Sequence, residues 1–250
     1  MIGLGVTLAA TSISFSAMAG IGSAKKATYE VIFVPTFTSV THPYHYRVGV
    51  ERATHFSPLI AATYKRGYWL YRVGRKATPG LELLAERGKA EGKIEDTDKK
   101  VVGLLPELKK AKKKGWVYSY KVTDDGNFGP VPKPVELTLK VLSSYPLASV
   151  VGMVAPSPDW FAGVTNVKLY SKGHWVPSKT VIAYAYDAGT DAGTDYTSDN
   201  KNQVPKLEDL TDAVKINKFQ AAYTVWIDYL REKTDIQMDE EILISESQRF

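Results

Sequence analysis

Four aspartates stand in two short turn-forming stretches of the chain. Asp159 lies in the sequence APSPDWFAGV (155–164), and Asp187, Asp191 and Asp195 recur in DAGTDAGTDY (187–196). Each stretch follows a run of strand-forming residues, so Asp159, Asp187 and Asp191 can converge at one end of a β-scaffold. Carboxylates held together repel one another, and calcium relieves this because it accepts several oxygen ligands from flexible loops. These three are therefore candidate calcium ligands, and Asp195 is a further candidate.

Turn formation alone is the other interpretation of these aspartates, because Asp and Gly favour turns.

Catalytic patterns are absent from the sequence, which has no cysteine, no Gly-x-Ser-x-Gly, no phosphate-binding glycine loop and no His-Glu-x-x-His. We therefore predict a protein that is not an enzyme.

The elements that must position these residues are mainly strands. Thr78, Pro79 and Gly88 are typical of the cap, first turn and exit of one short helix. Segment 219–230 fits a helix or a strand, and its aromatic and β-branched content favours a strand. Further runs of strand-forming residues occupy 29–34, 116–122, 135–142, 148–154, 164–170 and 180–186. About eight strands with one short helix and long loops predict an all-β architecture.

The composition and charge are ordinary for a soluble globular protein of 250 residues, with 44% hydrophobic residues and a net charge of +5. One loop is strongly basic, since five lysines lie in 109–114. Lys109 to Lys114 could bind a polyanion such as an acidic polysaccharide or lipid headgroups, or could be a solvated loop or exposed helix end. No nucleic-acid motif accompanies them, so nucleic-acid binding is not predicted.

Both ends of the chain lie apart from the predicted sandwich. Residues 1–27 have two interpretations, a signal peptide with a cleavage-like Ala-Met-Ala at 17–19, or a structural arm. The arm has no predicted partner in its own sandwich, so it would add a strand to a neighbouring subunit. Deleting residues 1–22 would then leave a folded monomer. Residues 233–250 are a tail that combines acidic and apolar residues.

Five ordered motifs resemble the spondin domain family. They are HFSPLI (55–60), GLELLAERG (80–88), YPLASV (145–150), PSPDWF (156–161) and DAGTD (187–191), within a resemblance that covers 28–232. The resemblance implies an extracellular antiparallel β-sandwich with a calcium site at one end, which acts in adhesion. Because the chain lacks the cysteines of the family's animal members, burial must hold its fold, with or without bound metal.

The first functional hypothesis is thus a secreted calcium-binding adhesion or extracellular-matrix module, placed outside the cell or at its surface. Its partners would be matrix or surface components. A second hypothesis is a self-assembling extracellular subunit, in a filament or sheath, whose copies are joined by the N-terminal arm. A third is a calcium-dependent peripheral membrane binder. We expect Trp160 and Phe161 to be core residues that fix the Asp159 loop.

Overall fold

The described part of the chain is built almost wholly from antiparallel strands. The computed structural model describes residues 11–19, 25–35, 55–91, 103–124, 134–199, 201 and 215–216. Its strands are β1 (Ser12–Ala19), β2 (Lys26–Val34), β3 (His55–Phe56), β4 (Ile60–Tyr64), β5 (Val117–Val122), β6 (Val135–Leu142), β7 (Leu147–Ala155), β8 (Trp160–Lys168), β9 (Tyr170–Ser171), β10 (His174–Trp175), β11 (Ser178–Ile182), β12 (Tyr184–Asp187) and β13 (Lys215–Ile216). Two helices accompany them, α1 (Pro79–Arg87) and α2 (Leu104–Lys113).

Two sheets organise these strands. One has four strands in the order β11-β1-β2-β6. The larger one has the order β13-β12-β8-β7-β4-β5, and β3 pairs with β7 beside it. A short β9–β10 hairpin stands apart. All the pairings are antiparallel, so the predicted all-β antiparallel sandwich is confirmed.

The larger sheet lies between two apolar layers, because its successive side chains point to opposite faces. In β7, Val150 belongs to the cluster shared with the four-stranded sheet, whereas Val151 belongs to the cluster shared with the helices. In β8, Trp160 and Phe161 divide in the same way. All nine residues of β7 are buried. Trp160 and Phe161 are 1% and 0% exposed, which confirms them as core residues.

Helix α1 forms where the sequence predicts it. The Thr78 side chain accepts a hydrogen bond from the Leu81 N–H, Pro79 occupies the first turn, and Gly88 ends the helix with φ 63°. Leu81 and Leu84 are fully buried against the larger sheet's cluster. The same local signals that start and stop the helix therefore also orient its apolar face.

A second helix, α2, corrects the prediction of a single helix. It buries Leu104, Leu108 and Ala111, while the lysines of its last turn face solvent. Cations at that position favour the helix because its C-terminus carries partial negative charge. The lysine-rich segment is thus partly a helix end, as one interpretation of it proposed.

Strand β1 corrects the expectation that the N-terminal segment lacks a partner in its own sandwich. It pairs with β11 on one side and β2 on the other, with Ile13 opposite Val181 and Phe33. Ile13 and Phe15 are both 0% exposed. Residues 12–19 therefore form an interior strand of the four-stranded sheet, which extends the sandwich upstream of residue 28.

Two predictions fall outside the described residues, namely the strand at 219–230 and the tail at 233–250. Neither described helix is long and apolar enough to cross a membrane.

Candidate metal centre

The backbone brings Asp159 and Asp187 to the same edge of the larger sheet. Asp159 immediately precedes β8, and Asp187 is the last residue of the neighbouring strand β12. These strands are antiparallel, with Asp187 opposite Trp160. The Ala188 N–H also donates to the carbonyl oxygen of Asp159 over 3.0 Å. The DAGTD segment therefore begins against the turn that carries Asp159.

Asp159 holds the centre of the site. Its side chain is 0% exposed. Oδ2 accepts the backbone N–H groups of Thr190 at 2.7 Å and Asp191 at 3.0 Å, and the Thr190 hydroxyl at 3.3 Å. Oδ1 is buried and has no hydrogen-bond partner among the described residues. One oxygen of the carboxyl group is thus well satisfied, and the other is left without a donor.

This environment disfavours the ionised carboxylate when no cation is bound. Burial is the main cause that raises the pKa of Asp159 to about 7, and the nearby charge of Asp187 is the next. The charge of Asp191 acts in the same direction, whereas the N–H groups of Asp191 and Thr190 partly oppose the shift. A cation near Oδ1 would reverse this balance, because opposite charge favours the ionised form.

Asp187 and Asp191 shape the loop through their own backbone. Asp187 Oδ1 accepts the Gly189 N–H at 2.8 Å, and Asp191 Oδ1 accepts the Gly193 N–H at 2.7 Å. Asp191 Oδ2 accepts the Lys201 N–H at 2.7 Å. Both aspartates thus make the turns that the alternative interpretation predicts, and they also lie close enough to Asp159 to shift its pKa.

Asp195 lies in a separate turn. Its Oδ1 accepts the Thr197 N–H at 3.1 Å and the Thr197 hydroxyl at 3.3 Å. The next residue, Tyr196, packs its ring edge-on against Trp160, with centroids 5.2 Å apart. The structure therefore joins Asp159, Asp187 and Asp191, and it places Asp195 in the turn that anchors Tyr196 over the core.

The carboxylate oxygens of this centre are the type of ligand that a hard cation takes. Across the described ranges, no group of three or more His, Asp or Glu side chains is arranged so that it could hold a metal ion as it stands. The aspartates are connected instead through N–H groups of the DAGTD backbone. Each carboxylate oxygen has more than one lone pair, so an oxygen that accepts one N–H keeps capacity for a metal. The buried Oδ1 of Asp159 adds an oxygen with no competing donor.

Glu86 is a buried carboxylate that the sequence analysis did not single out. It lies on α1 and is 8% exposed, and its Oε1 has no hydrogen-bond partner among the described residues. Burial is the main cause that raises its pKa, a side-chain hydrogen bond with Thr190 partly opposes the shift, and the charges of Glu82 and Asp191 add to it. The sequence indicated its burial only through helical spacing, since Glu86 follows Leu83 by three residues and therefore lies on the same face of the helix.

Comparison with known proteins gives one consistent result. The family model Spondin_N matches residues 27–223 of the chain. Spondin-1 of Rattus norvegicus is 30% identical over 191 residues, which cover 74% of this chain and 22% of that protein. Spondin-2 of Rattus norvegicus is 27% identical over 184 residues, which cover 72% of this chain and 51% of that protein. The chain therefore spans about a fifth to a half of the curated relatives it matches.

Proposed function

Because the chain belongs to the Spondin_N family, we propose that it is an extracellular adhesion module of the matrix type, without enzymatic activity, that binds calcium. Asp159, Asp187 and Asp191 would hold the ion. The observation that carries this proposal is the Asp159 carboxyl group, which is fully buried beside other carboxylates and has an unpartnered Oδ1. An oxygen in that position is costly unless a donor or a cation reaches it.

Calcium would place positive charge next to the carboxylates of Asp159, Asp187 and Asp191. Bound at Asp159 Oδ1 with carboxylate oxygens of Asp187 and Asp191, it would link the β7–β8 turn to the segment after β12. Calcium suits such a site because it takes oxygen ligands in flexible geometry. The ion would then fix the loops at this end of the sandwich for contact with a matrix component.

Calorimetric titration with calcium, together with thermal melts in calcium and in chelator, tests the site. A ligand at a hundredfold excess over Kd stabilises the folded state by about 2.7 kcal/mol, which for this chain length corresponds to about 5–10 °C in Tm. We expect Asp159→Asn to remove both the binding heat and the shift. Asp199→Asn is the matched control, because Asp199 is exposed in the same loop region. Unchanged melts and no binding heat for the native chain would refute calcium binding.

Adhesion requires a separate measurement. The labelled chain should bind a deposited extracellular-matrix layer more strongly in calcium than in chelator, and Asp159→Asn should bind at the chelator level in both. Asp199→Asn should behave like the native chain. Equal binding of the native chain and of Asp159→Asn, both in calcium and in chelator, would mean that calcium does not organise the adhesive surface.

A further inference from the structure

Two segments of the chain, 65–72 and 110–116, combine positive charge with exposed aromatic rings, and we term them the basic–aromatic surface. Neither segment contains an acidic residue. Trp69 and Trp116 are 42% and 43% exposed. The seven cations of the surface are Lys65, Arg66, Arg72, Lys110, Lys112, Lys113 and Lys114. Large exposed indoles among unopposed cations are typical of a binding surface.

The pairing of β4 with β5 brings the two segments together. The Lys65 N–H donates to the carbonyl oxygen of Trp116 over 3.0 Å. The Trp116 ring lies 3.6 Å from the position that a Cβ would take at Gly67. The lysines of the last turn of α2 immediately precede Trp116, so they reach the same end of the sheet as Lys65.

Within the described part of the chain, none of the seven cations of this surface forms a salt bridge, and the attraction between Lys110 and Glu107 acts at longer range. Their neighbour Lys109, by contrast, lies 2.7 Å from Glu91. The one acidic residue of α2, Glu107, directs its Oε1 to the Gly80 N–H at 2.7 Å. The positive charge is therefore available to an anionic partner.

We propose that the basic–aromatic surface binds a sulfated polysaccharide. Sulfate groups repeat along such a chain, so they can pair with several cations, each of which contributes little alone. The planar guanidinium groups of Arg66 and Arg72 match tetrahedral oxyanions through paired N–H donors. The indoles of Trp69 and Trp116 offer apolar faces to sugar rings. This inference uses the extracellular location of the proposed function and does not involve the calcium centre.

The aromatic rings favour a polyanion in water over a lipid bilayer. The Arg72 guanidinium lies 4.9 Å from the Trp69 ring centroid, and the Lys112 ammonium lies 5.5 Å from the Tyr120 centroid. Inserting Trp69 into hydrocarbon would desolvate the cation that rests on it, which is strongly unfavourable. At the protein surface in water, the same cation can bind a sulfate group and remain partly hydrated.

Immobilised heparin, the probe, tests the proposal, with affinity measured over a series of salt concentrations. We expect the native chain to bind and its affinity to fall as salt rises. Lys112→Gln/Lys113→Gln/Lys114→Gln should weaken binding about tenfold, because three ion pairs are lost. Trp116→Ala should weaken it with no change in charge, and desulfated heparin should not bind.

The matched control is Lys26→Gln/Lys172→Gln/Lys179→Gln, which removes the same charge from exposed positions outside this surface. It should stay within about twofold of the native chain. Equal weakening by the two triple variants would overturn the proposal, and so would stronger binding to phosphatidylserine vesicles than to heparin. Chelator should leave heparin binding unchanged, so a failure of the calcium site would not be mistaken for a failure here.

Discussion

At the scale of single residues, Asp159 should make the stability of the chain depend on pH. Its pKa is about 7 in the folded protein without metal, against about 3.9 for an unfolded aspartate. The folded state therefore binds the proton more tightly, so the stabilising contribution of Asp159 is fully present below about pH 4 and is lost as pH rises through 7. We expect Tm in chelator to fall between pH 5 and pH 8.

Calcium should remove this loss, because metal binding displaces the proton from the carboxyl group. The calcium-induced rise in Tm should therefore be larger at pH 8 than at pH 5. Glu86 shifts in the same direction, so Asp159→Asn is needed to isolate the group. That variant should flatten the profile in chelator. A native profile equally steep in calcium would show that the proton is lost elsewhere.

Substitution of Trp160 tests whether this residue belongs to the hydrophobic core next to the Asp159 turn. It is 1% exposed and packs against Tyr196, in the cluster between the two sheets. Trp160→Ala should lower the free energy of unfolding by about 3–5 kcal/mol, because a large cavity remains. Trp69→Ala is the control in denaturant unfolding, since the same truncation at a 42% exposed indole leaves no cavity. Similar losses in the two variants would contradict the assignment of Trp160 to the core.

The sequence could predict part of this site and not the rest. Asp159 immediately precedes one strand and Asp187 ends another, which places them together if those strands are antiparallel neighbours. Three short strands separate them along the chain, so the sequence alone could not establish that pairing. The unpartnered Oδ1 of Asp159 depends on positions of single atoms, and no residue pattern encodes it.

At the scale of elements, α1 and α2 show why one helix was predictable and the other was not. The start and the end of α1 depend on residues that are close to each other in the sequence. Thr78 caps its N-terminus, and Gly88 ends it. Helix α2 begins at Leu104, and its N-cap residue, Gly103, has no side chain that could make a capping hydrogen bond. Five lysines lie in 109–114, in and just after the second half of the helix. In so charged a stretch the sequence does not show that Leu108 and Ala111 are buried.

Strand β1 was misassigned for a related reason. Its alternation of Ser with Ile13 and Phe15 predicts a strand, but alternation does not say which sheet receives it. The short apolar stretch also fits a secretory signal, and the strands that flank β1 come from residues 26–34 and 178–182. Only the long-range pairing identifies it as an interior strand of its own domain.

This position reverses the expected effect of truncation. Removing residues 1–22 should destabilise the chain instead of releasing a folded monomer, because β2 and β11 would lose their shared partner. Phe15→Ala alone should cost about 3–5 kcal/mol in denaturant unfolding, since the side chain is fully buried. Ser16→Ala, on the other face of the strand, should stay within about 0.5 kcal/mol. A truncated chain as stable as the native one would refute this role of β1.

At the scale of the whole molecule, the three layers concentrate stability in the larger sheet. Strand β7 lies between β4 and β8, and its two faces meet the four-stranded sheet and the helices. The described chain has no disulfide that could hold the layers together. The cohesion of the described layers therefore depends on apolar burial, with calcium as the proposed additional link at one edge.

Hydrogen exchange should show that the larger sheet is more stable than the edge of the four-stranded sheet. Amides of β7 should exchange most slowly, because exposing them requires the separation of both packed layers from the larger sheet. Strand β11 is an edge strand with mostly exposed side chains, so its amides should open locally. Calcium should slow exchange most at Thr190 and Asp191, whose N–H groups bond to Asp159 Oδ2. Mass spectrometry of peptides in calcium and in chelator measures both effects. Equal protection of β7 and β11 would contradict the layered core, while uniform slowing by calcium would mean that the ion stabilises the whole sandwich and not one edge.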